Sequence, residues 1–344
     1  MSYFYYLIAF PFILYIIRKF FNGPRTLLTN YYNVKDKVII ITGSSAGIGK
    51  ETAYELLRQG AQVIFACRDE KKTKAVIQSL PETLQKRAIF LLLDLASFKS
   101  VKSFVKNFSE LNMKVDIIIN NAGCIIDKFS KTEDGIESVI QCNHLSHMLL
   151  TTLLLKHLSN NNCRIINVSS DAHFFVKSLD INALENDFEF KDSSLYKGSF
   201  SNYAYSKIAN IYFTIALAEY LESKKLSIKT VSLHPGAVLT EIFRPSNKFY
   251  KIIGFFLYYL LYIFFKDAFM GAQTTLHVCY ADYNDLTNGA YYSNCKISKM
   301  SDLANNKNLR NRFMDYSKRL IQSKNGEVPE EMEDLVRHYS LTPT

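Results

Sequence analysis

Between residues 37 and 233, short β-branched runs alternate with longer helical stretches. The runs are Lys37 to Thr42, Gln62 to Ala66, Ala88 to Leu92, Val115 to Asn120, Arg164 to Asn167 and Ser227 to Leu233. Strands separated by helices predict right-handed crossovers and a parallel sheet covered on both faces. Val38-Ile-Ile-Ile-Thr42 and Asp116-Ile-Ile-Ile-Asn120 are apolar without alternation, the pattern of strands buried on both sides. The expected fold class is therefore α/β, a doubly wound parallel sheet in a single domain. No internal repeat, low-complexity tract or Pro/Gly-rich linker divides it. The longest irregular stretch, Phe174 to Phe200, is polar and rich in Asp, Ser and Lys. It reads either as a loop over an active site or as a surface excursion.

Two windows stand apart from this pattern. Tyr3 to Phe21 and Phe249 to Phe265 hold 18 of the 47 Tyr and Phe residues of the chain. The chain opens with seventeen uncharged residues closed by Arg18 and Lys19; as a helix these reach roughly 25 Å, just short of a typical hydrocarbon core. A cleaved signal peptide carries its charge ahead of the apolar run, whereas here the charge follows it. Residues 1–21 are accordingly expected to form an uncleaved membrane anchor, and 22–34 a linker. A buried N-terminal helix is the competing reading, although apolar residues on every face leave nothing to point at water. Arg18, Lys19, Arg25, Lys35 and Lys37 follow the segment and no basic residue precedes it, which places the body of the protein in the cytosol. Ile252 to Phe265, fourteen uncharged residues, is too short to cross a bilayer. It is expected to lie in the membrane interface; a core helix or a dimer face is the alternative.

Composition changes this picture little. With 48% hydrophobic and 21% charged residues, the chain has the makeup of a folded protein, which excludes disorder and collagen-like repeats. The net charge of +9 is not clustered: Lys307, Arg310, Arg312, Lys318, Arg319 and Lys324 alternate with Asn, Ser and acids, as on a solvated helix face. No nucleic-acid partner is expected. Cys67, Cys124, Cys142, Cys163, Cys279 and Cys295 form no C-x-x-C pair and have no His at metal-ligand spacing. Neither a metal nor a disulfide framework is expected, which is compatible with a reducing compartment.

Directly after the first strand comes Thr42-Gly43-Ser44-Ser45-Ala46-Gly47-Ile48-Gly49-Lys50, running into a helical pattern. Gly43 permits a tight turn, Gly47 lets backbone approach a phosphate, and Gly49 lets the helix pack close to the sheet with its N-terminus facing the anion. About 20 residues on, an acid at the end of the second strand would bind a ribose 2'-hydroxyl. Here the strand ends Ala66-Cys67-Arg68-Asp69. Cys67 stands where the acid would be, and Arg68 is a cation able to fork onto a 2'-phosphate, so NADP is the expected cofactor. The competing readings make Asp69 the ribose ligand or Arg68 a surface charge.

Tyr203-Ala-Tyr-Ser-Lys207 puts Tyr203 and Lys207 four residues apart on one helical face. An ammonium beside a phenol favours the phenolate and lowers its pKa toward working pH. Alone, this pair would be an ordinary amphipathic spacing. With the other motifs, the sequence resembles the short-chain dehydrogenase/reductase family. Thr42 to Gly49 matches its glycine motif, Asp94 its acid after the third strand, and Asn120-Asn121-Ala122-Gly123 its turn after the fourth. Asn143, Ser170, Tyr203 and Lys207 match the catalytic tetrad, and Pro235-Gly236 the turn after the sixth strand. Ala66-Cys-Arg-Asp69, Asn143-His-Leu-Ser-His147, Asn167-Val-Ser-Ser170, His234-Pro-Gly236, Gly271-Ala-Gln-Thr274 and Tyr292-Ser-Asn-Cys295 look like the microsomal retinol dehydrogenase branch and its NADP-dependent members.

The resemblance implies a Rossmann-type fold over residues 35–322, a lid segment at 249–265 that associates with the membrane, and an unmatched C-terminal tail at 323–344. It implies that Tyr203 is the acid in carbonyl reduction and the base in alcohol oxidation. Lys207 lowers the pKa of Tyr203 and bonds the nicotinamide ribose, Ser170 bonds the substrate oxygen, and Asn143 supports a proton relay. Gly43, Ser45, Gly47, Ile48 and Gly49 would contact the cofactor, with Asp94 at the adenine, Asn121 on the adenosine ribose side and Thr240 at the carboxamide. The expected activity is NADP(H)-dependent interconversion of a lipophilic alcohol and its carbonyl, retinal-like, by an N-terminally anchored enzyme of the endoplasmic reticulum or another endomembrane. A hydroxysteroid or other lipid carbonyl reductase is the alternative enzyme. A catalytically inactive membrane or lipid-droplet scaffold is the non-enzyme alternative, and a homodimer stays open.

Overall fold

The computed structural model describes residues 14–19, 22–26, 34–126, 128–159, 161–179, 181, 199–238 and 265–340. Its centre is an eight-stranded sheet in the order β3-β2-β1-β4-β5-β6-β7-β8. The strands are β1 (Val38–Thr42), β2 (Gln62–Cys67), β3 (Ala88–Leu92), β4 (Ile117–Asn120), β5 (Cys163–Val168), β6 (Ile228–His234), β7 (Tyr291–Ser293) and β8 (Lys296–Ile297). All neighbouring pairs through β7 are parallel, and β8 closes the edge antiparallel to β7. The first six strands lie where the apolar runs put them. β7 and β8 have no counterpart in the sequence pattern, because three residues and two residues are too few to display a period.

The helices that matter below are α1 (Gly47–Arg58), α2 (Glu70–Gln78), α3 (Phe98–Glu110), α4 (Ser146–Leu154), α5 (Ser199–Ser223), α6 (Ala268–Tyr280), α7 (Lys307–Asn325) and α8 (Glu330–Ser340). Successive strand residues point to opposite faces, and the sheet accordingly separates two cores. Ile40, Ile64, Ile118 and Ile165 pack with α3, α4 and α5. Ile39, Ile41, Val63, Phe65, Ile117, Ile119 and Ile166 pack with α1 and α6 on the other side. This double burial is why the strands read as unbroken apolar runs. Strand order reverses between β1 and β4, so the crevice outside their carboxyl ends is the place where such a sheet takes a ligand.

α5 is apolar nearly all round, with Ile208, Ile211, Tyr212, Phe213, Leu217 and Leu221 buried. A helix of that kind needs cover on both flanks. The sheet supplies one, and the C-terminal helices supply the other. Phe313, Met314 and Leu320 of α7 and Met332, Leu335 and Val336 of α8 join the same core. Tyr212 donates to the Leu303 carbonyl at 2.7 Å, and Arg310 forks onto both carboxylate oxygens of Glu219 at 2.8 and 2.9 Å. The reading of 323–344 as a tail beyond the domain is therefore corrected for α8, whose apolar face is part of the main core. Residues 341–344 lie outside the described residues.

Among the described residues, no helix is long and apolar enough to cross a membrane. Of the expected anchor, Leu14 to Lys19 are helical and the rest falls outside the described residues. Of the expected lid segment 249–265, Phe265 alone is described.

Leu335 is fully buried on α8, so Leu335→Ala is expected to cost about 2–5 kcal/mol in denaturant unfolding of the whole chain. A change within about 0.5 kcal/mol, the range of surface substitutions, would show that α8 is no part of the core.

Candidate active site

The site begins where β1 stops. Gly43 and Gly47 have φ of +69° and +53°, backbone conformations that favour glycine. A Cβ at Gly49 would lie 2.5 Å from Asn121 Nδ2 and 2.6 Å from the Gly43 carbonyl oxygen, so only glycine lets α1 approach the sheet this closely. Ala46 precedes α1 and supplies no side-chain cap, and the first turn carries no acid. The helix therefore starts with backbone N–H groups and a positive dipole end that no side chain satisfies. That is a cradle fitted to a dinucleotide phosphate. Ser45 sits half-buried in the same turn, and Ser44 beneath it bonds the Ile41 carbonyl and meets Cys67 Sγ at 3.4 Å.

The ends of β1 and β4 are tied through one hydroxyl. Thr42 Oγ1 accepts N–H bonds from Asn121 at 3.0 Å and Ala122 at 2.9 Å. With both lone pairs occupied, its hydrogen goes to His147 Nε2, 2.9 Å away. His147 Nδ1–H then donates to the Asn143 carbonyl at 3.1 Å. Burial holds the His147 imidazole down at about 4, in keeping with this neutral tautomer. Asn121 also donates its side-chain amide to the Thr42 carbonyl at 2.8 Å.

Asn143 lies in a π-helical turn, Gln141–Leu145, of the kind that often marks functional sites. It is fully buried behind Gly123. Its Oδ1 accepts the Cys124 N–H at 2.8 Å, and its Nδ2 donates to the Cys124 carbonyl and to Ser206 Oγ, both at 3.0 Å. Ser206 in turn donates to the Tyr203 carbonyl at 2.7 Å. Asn143 thus fixes the Gly123–Cys124 strip against the start of α5.

Tyr203 and Lys207 occupy one face of α5, with Lys207 Nζ 5.3 Å from the centre of the Tyr203 ring. Lys207 is nearly fully buried and donates to the Val168 carbonyl at 2.9 Å, at the very end of β5. Burial lowers its pKa to about 8. Ser169, the residue after Val168, is buried and donates to the Lys207 carbonyl at 2.7 Å. Ser170 bonds the Tyr203 side chain. The two adjacent serines are thereby sorted: Ser169 clamps helix to strand, and Ser170 faces the phenol.

The phenol departs from the sequence-based expectation. Burial raises the Tyr203 pKa above the ordinary tyrosine value; the Ser170 hydrogen bond works the other way and is the smaller effect. Lys207 does not pull it down, because its ammonium is turned to the Val168 carbonyl. Ser170 also opens a short 3-10 turn, Asp171–Phe175, by accepting the Ala172 N–H at 3.1 Å. Asp171 accepts from Tyr291 Oη at 2.7 Å. His234 Nδ1 accepts the Asp171 N–H, leaving Nε2–H to face the Asp171 carboxylate at 3.4 Å. Burial holds His234 down at about 4, so this contact is a hydrogen bond from a neutral imidazole.

One cavity of about 550 Å³ joins these parts. Gly43, Gly47, Ile48, Gly49 and Asn121 line one end, and Ser170, Tyr203 and Lys207 line the other. Asp94 lies past β3, with Oδ1 accepting the Ala96 N–H at 3.0 Å. Arg68 is exposed just past β2. Asp69 caps α2 by accepting the Lys72 N–H at 2.9 Å, a structural duty that weakens its reading as the ribose ligand. Thr240 lies outside the described residues. Sequence reasoning quotes Thr42, Ser169 and His147 only as members of matched motifs, without a role, and does not single out Ser206. Thr42 and His147 carry a signal, a hydroxyl ending an apolar strand and a histidine one helical turn past Asn143.

The sequence profile described as short chain dehydrogenase matches residues 37–178. Retinol dehydrogenase 12 of Mus musculus is 38% identical over 323 residues, covering 92% of this chain and 96% of its own. Retinol dehydrogenase 11 of Homo sapiens is 36% identical over 317 residues, covering 90% and 94%. Among solved structures, an uncharacterised protein from Mycobacterium paratuberculosis superposes with a TM-score of 0.69 at 26% identity, covering 89% of this chain and all of that one. A short chain dehydrogenase from Burkholderia cenocepacia in complex with NADP shares the fold, with a TM-score of 0.58 at 24% identity over 76% of this chain and 97% of its own. With full-length relatives at this identity and the Rossmann-like sheet in place, the chain belongs to the short-chain dehydrogenase/reductase family of oxidoreductases, among its retinol dehydrogenase-like members.

Proposed function

We propose that the protein is an NADP(H)-dependent enzyme that interconverts a lipophilic alcohol and its aldehyde or ketone, retinal-like, at a membrane surface. The observation that carries this reading is the single cavity with a phosphate cradle at one end and Ser170, Tyr203 and Lys207 at the other. NADP(H), when bound, supplies or accepts the hydride.

Tyr203 delivers the proton to the carbonyl oxygen in reduction, and Ser170 donates a hydrogen bond to that oxygen as negative charge develops on it. Burial of the phenol raises its pKa, which favours the protonated state that a general acid needs. Lys207 holds a positive charge beside the phenol while it is protonated and offers its remaining donors to the cofactor ribose. Asn143 positions both by fixing the Gly123–Cys124 strip and, through Ser206, the first turns of α5. Gly43, Ser45, Gly47, Ile48 and Gly49 hold the diphosphate, Asp94 the adenine, Asn121 the adenosine ribose side and Thr240 the carboxamide.

Arg68 sets the cofactor preference. It projects from the surface beyond Cys67, where an acid would repel a 2'-phosphate, and a guanidinium can fork onto one. The names of the full-length relatives support a retinoid-like substrate. The apolar segments 1–21 and 249–265 support anchorage to the endoplasmic reticulum or another endomembrane with the catalytic domain on the cytosolic side.

Purified protein is expected to oxidise NADPH in the presence of retinal, and Tyr203→Phe is expected to lower that rate by at least ~100-fold; retention of the wild-type rate would remove Tyr203 from its role. Arg68→Ala is expected to reduce the NADPH-over-NADH preference, measured as a ratio of kcat/KM, by about tenfold or more. An unaltered ratio would show that another group recognises the 2'-phosphate.

A further inference from the structure

The catalytic end of the cavity carries two rings that the proposed chemistry does not use. Phe175 is 68% exposed and Phe200 is 50% exposed, although phenylalanine is normally buried. Both line the cavity together with Ser170 and Tyr203. They meet edge-to-face, with centroids 5.4 Å apart and planes at 76°, a favourable aromatic geometry.

Their places in the chain matter as much as their exposure. Phe175 ends the 3-10 turn that Ser170 opens. Phe200 lies on α5 three residues ahead of Tyr203, and so on nearly the same helical face. Each ring is therefore carried by the same element as one of the two groups that face the substrate oxygen, Phe175 by the 3-10 turn after Ser170 and Phe200 by the first turn of α5. A carbonyl seated on Ser170 and Tyr203 has its attached chain beside the two rings.

We infer that Phe175 and Phe200 form an aromatic subsite for the hydrocarbon chain of the substrate, and that this pair selects long apolar carbonyl compounds over short ones. The inference rests on the reading of the cavity as a carbonyl-reducing site and adds the residues that recognise the substrate's length. A chain lying against the two rings removes their exposed apolar surface from water, in proportion to the length of chain that reaches them. A two- or three-carbon aldehyde satisfies Ser170 and Tyr203 without reaching the rings and gains nothing from them. An exposed aromatic patch of this kind beside a cavity is the expected cost of such a subsite.

The test is made on the full chain with Phe175→Ala, Phe200→Ala and the double variant. The first readout is the ratio of kcat/KM for decanal to that for propanal with NADPH. Each single substitution is expected to lower the ratio by about tenfold and the double variant by more; an unchanged ratio in all three overturns the subsite. The second readout needs no turnover: calorimetric binding of decanol to protein saturated with NADP. Its affinity is expected to fall about tenfold in the single variants, and equal affinity in wild type and variants overturns the subsite. If wild-type protein reduces neither aldehyde while decanol binding still depends on the rings, the reaction fails and the subsite stands. Thermal unfolding checks that the variants fold, as substitutions at half-exposed positions should.

Discussion

One hydrogen bond, from the Lys207 ammonium to the Val168 carbonyl, holds the active-site wall in register with the sheet. A charged group buried this deeply survives only if it is hydrogen-bonded, and the last carbonyl of β5 provides that partner. Ser169 closes the same junction from the other side by donating to the Lys207 carbonyl. Strand end and helix are thus clamped twice within two residues. Ser170, immediately after the clamp, has little choice but to face Tyr203, one helical turn ahead of Lys207 on the same side.

The opposite wall is set by another polar stitch. Thr42 accepts from the Asn121 and Ala122 backbone and donates to His147, which donates to the Asn143 carbonyl. The glycine turn, the strip after β4 and the π-turn bearing Asn143 are then one hydrogen-bonded unit. Every donor and acceptor in the chain from Thr42 to Asn143 has a single assignment, which makes the unit rigid. The cavity lies between these two stitched junctions, at the point where strand order reverses. Two rigid walls with a phosphate cradle between them account for why one protein can hold a dinucleotide and a carbonyl in fixed relation.

Much of this is legible in the amino-acid order. Strands buried on both faces announce themselves as β-branched runs, so β1 to β6 and the glycine turn can be read directly. The Tyr203 and Lys207 pairing follows from helical spacing. What stays hidden falls into two physical classes. β7 and β8 are too short to carry a period, and α8 looks like a tail because its apolar positions gain meaning only against α5 and α7. The second class is electrostatic. Spacing places an ammonium near a phenol but does not show that the ammonium bonds a backbone carbonyl instead, nor that burial raises the phenol's pKa. The matched motif already points to Ser170 rather than Ser169, and what it does not show is that the Ser169 hydroxyl is taken up by the Lys207 carbonyl.

The central claim is that a buried lysine, held near the end of β5 with its pKa lowered to about 8, must carry its proton to hold the cofactor ribose in place beside Tyr203. The most direct measurement is the pH dependence of kcat/KM for retinal reduction by NADPH. Because the shift is downward from the usual lysine value, the protonated, active form predominates below about 8 and is lost above it. The rate should be level on the neutral side and fall about tenfold per pH unit on the alkaline side. A rate that stays level to about pH 10, the range of an ordinary exposed lysine, would contradict the account.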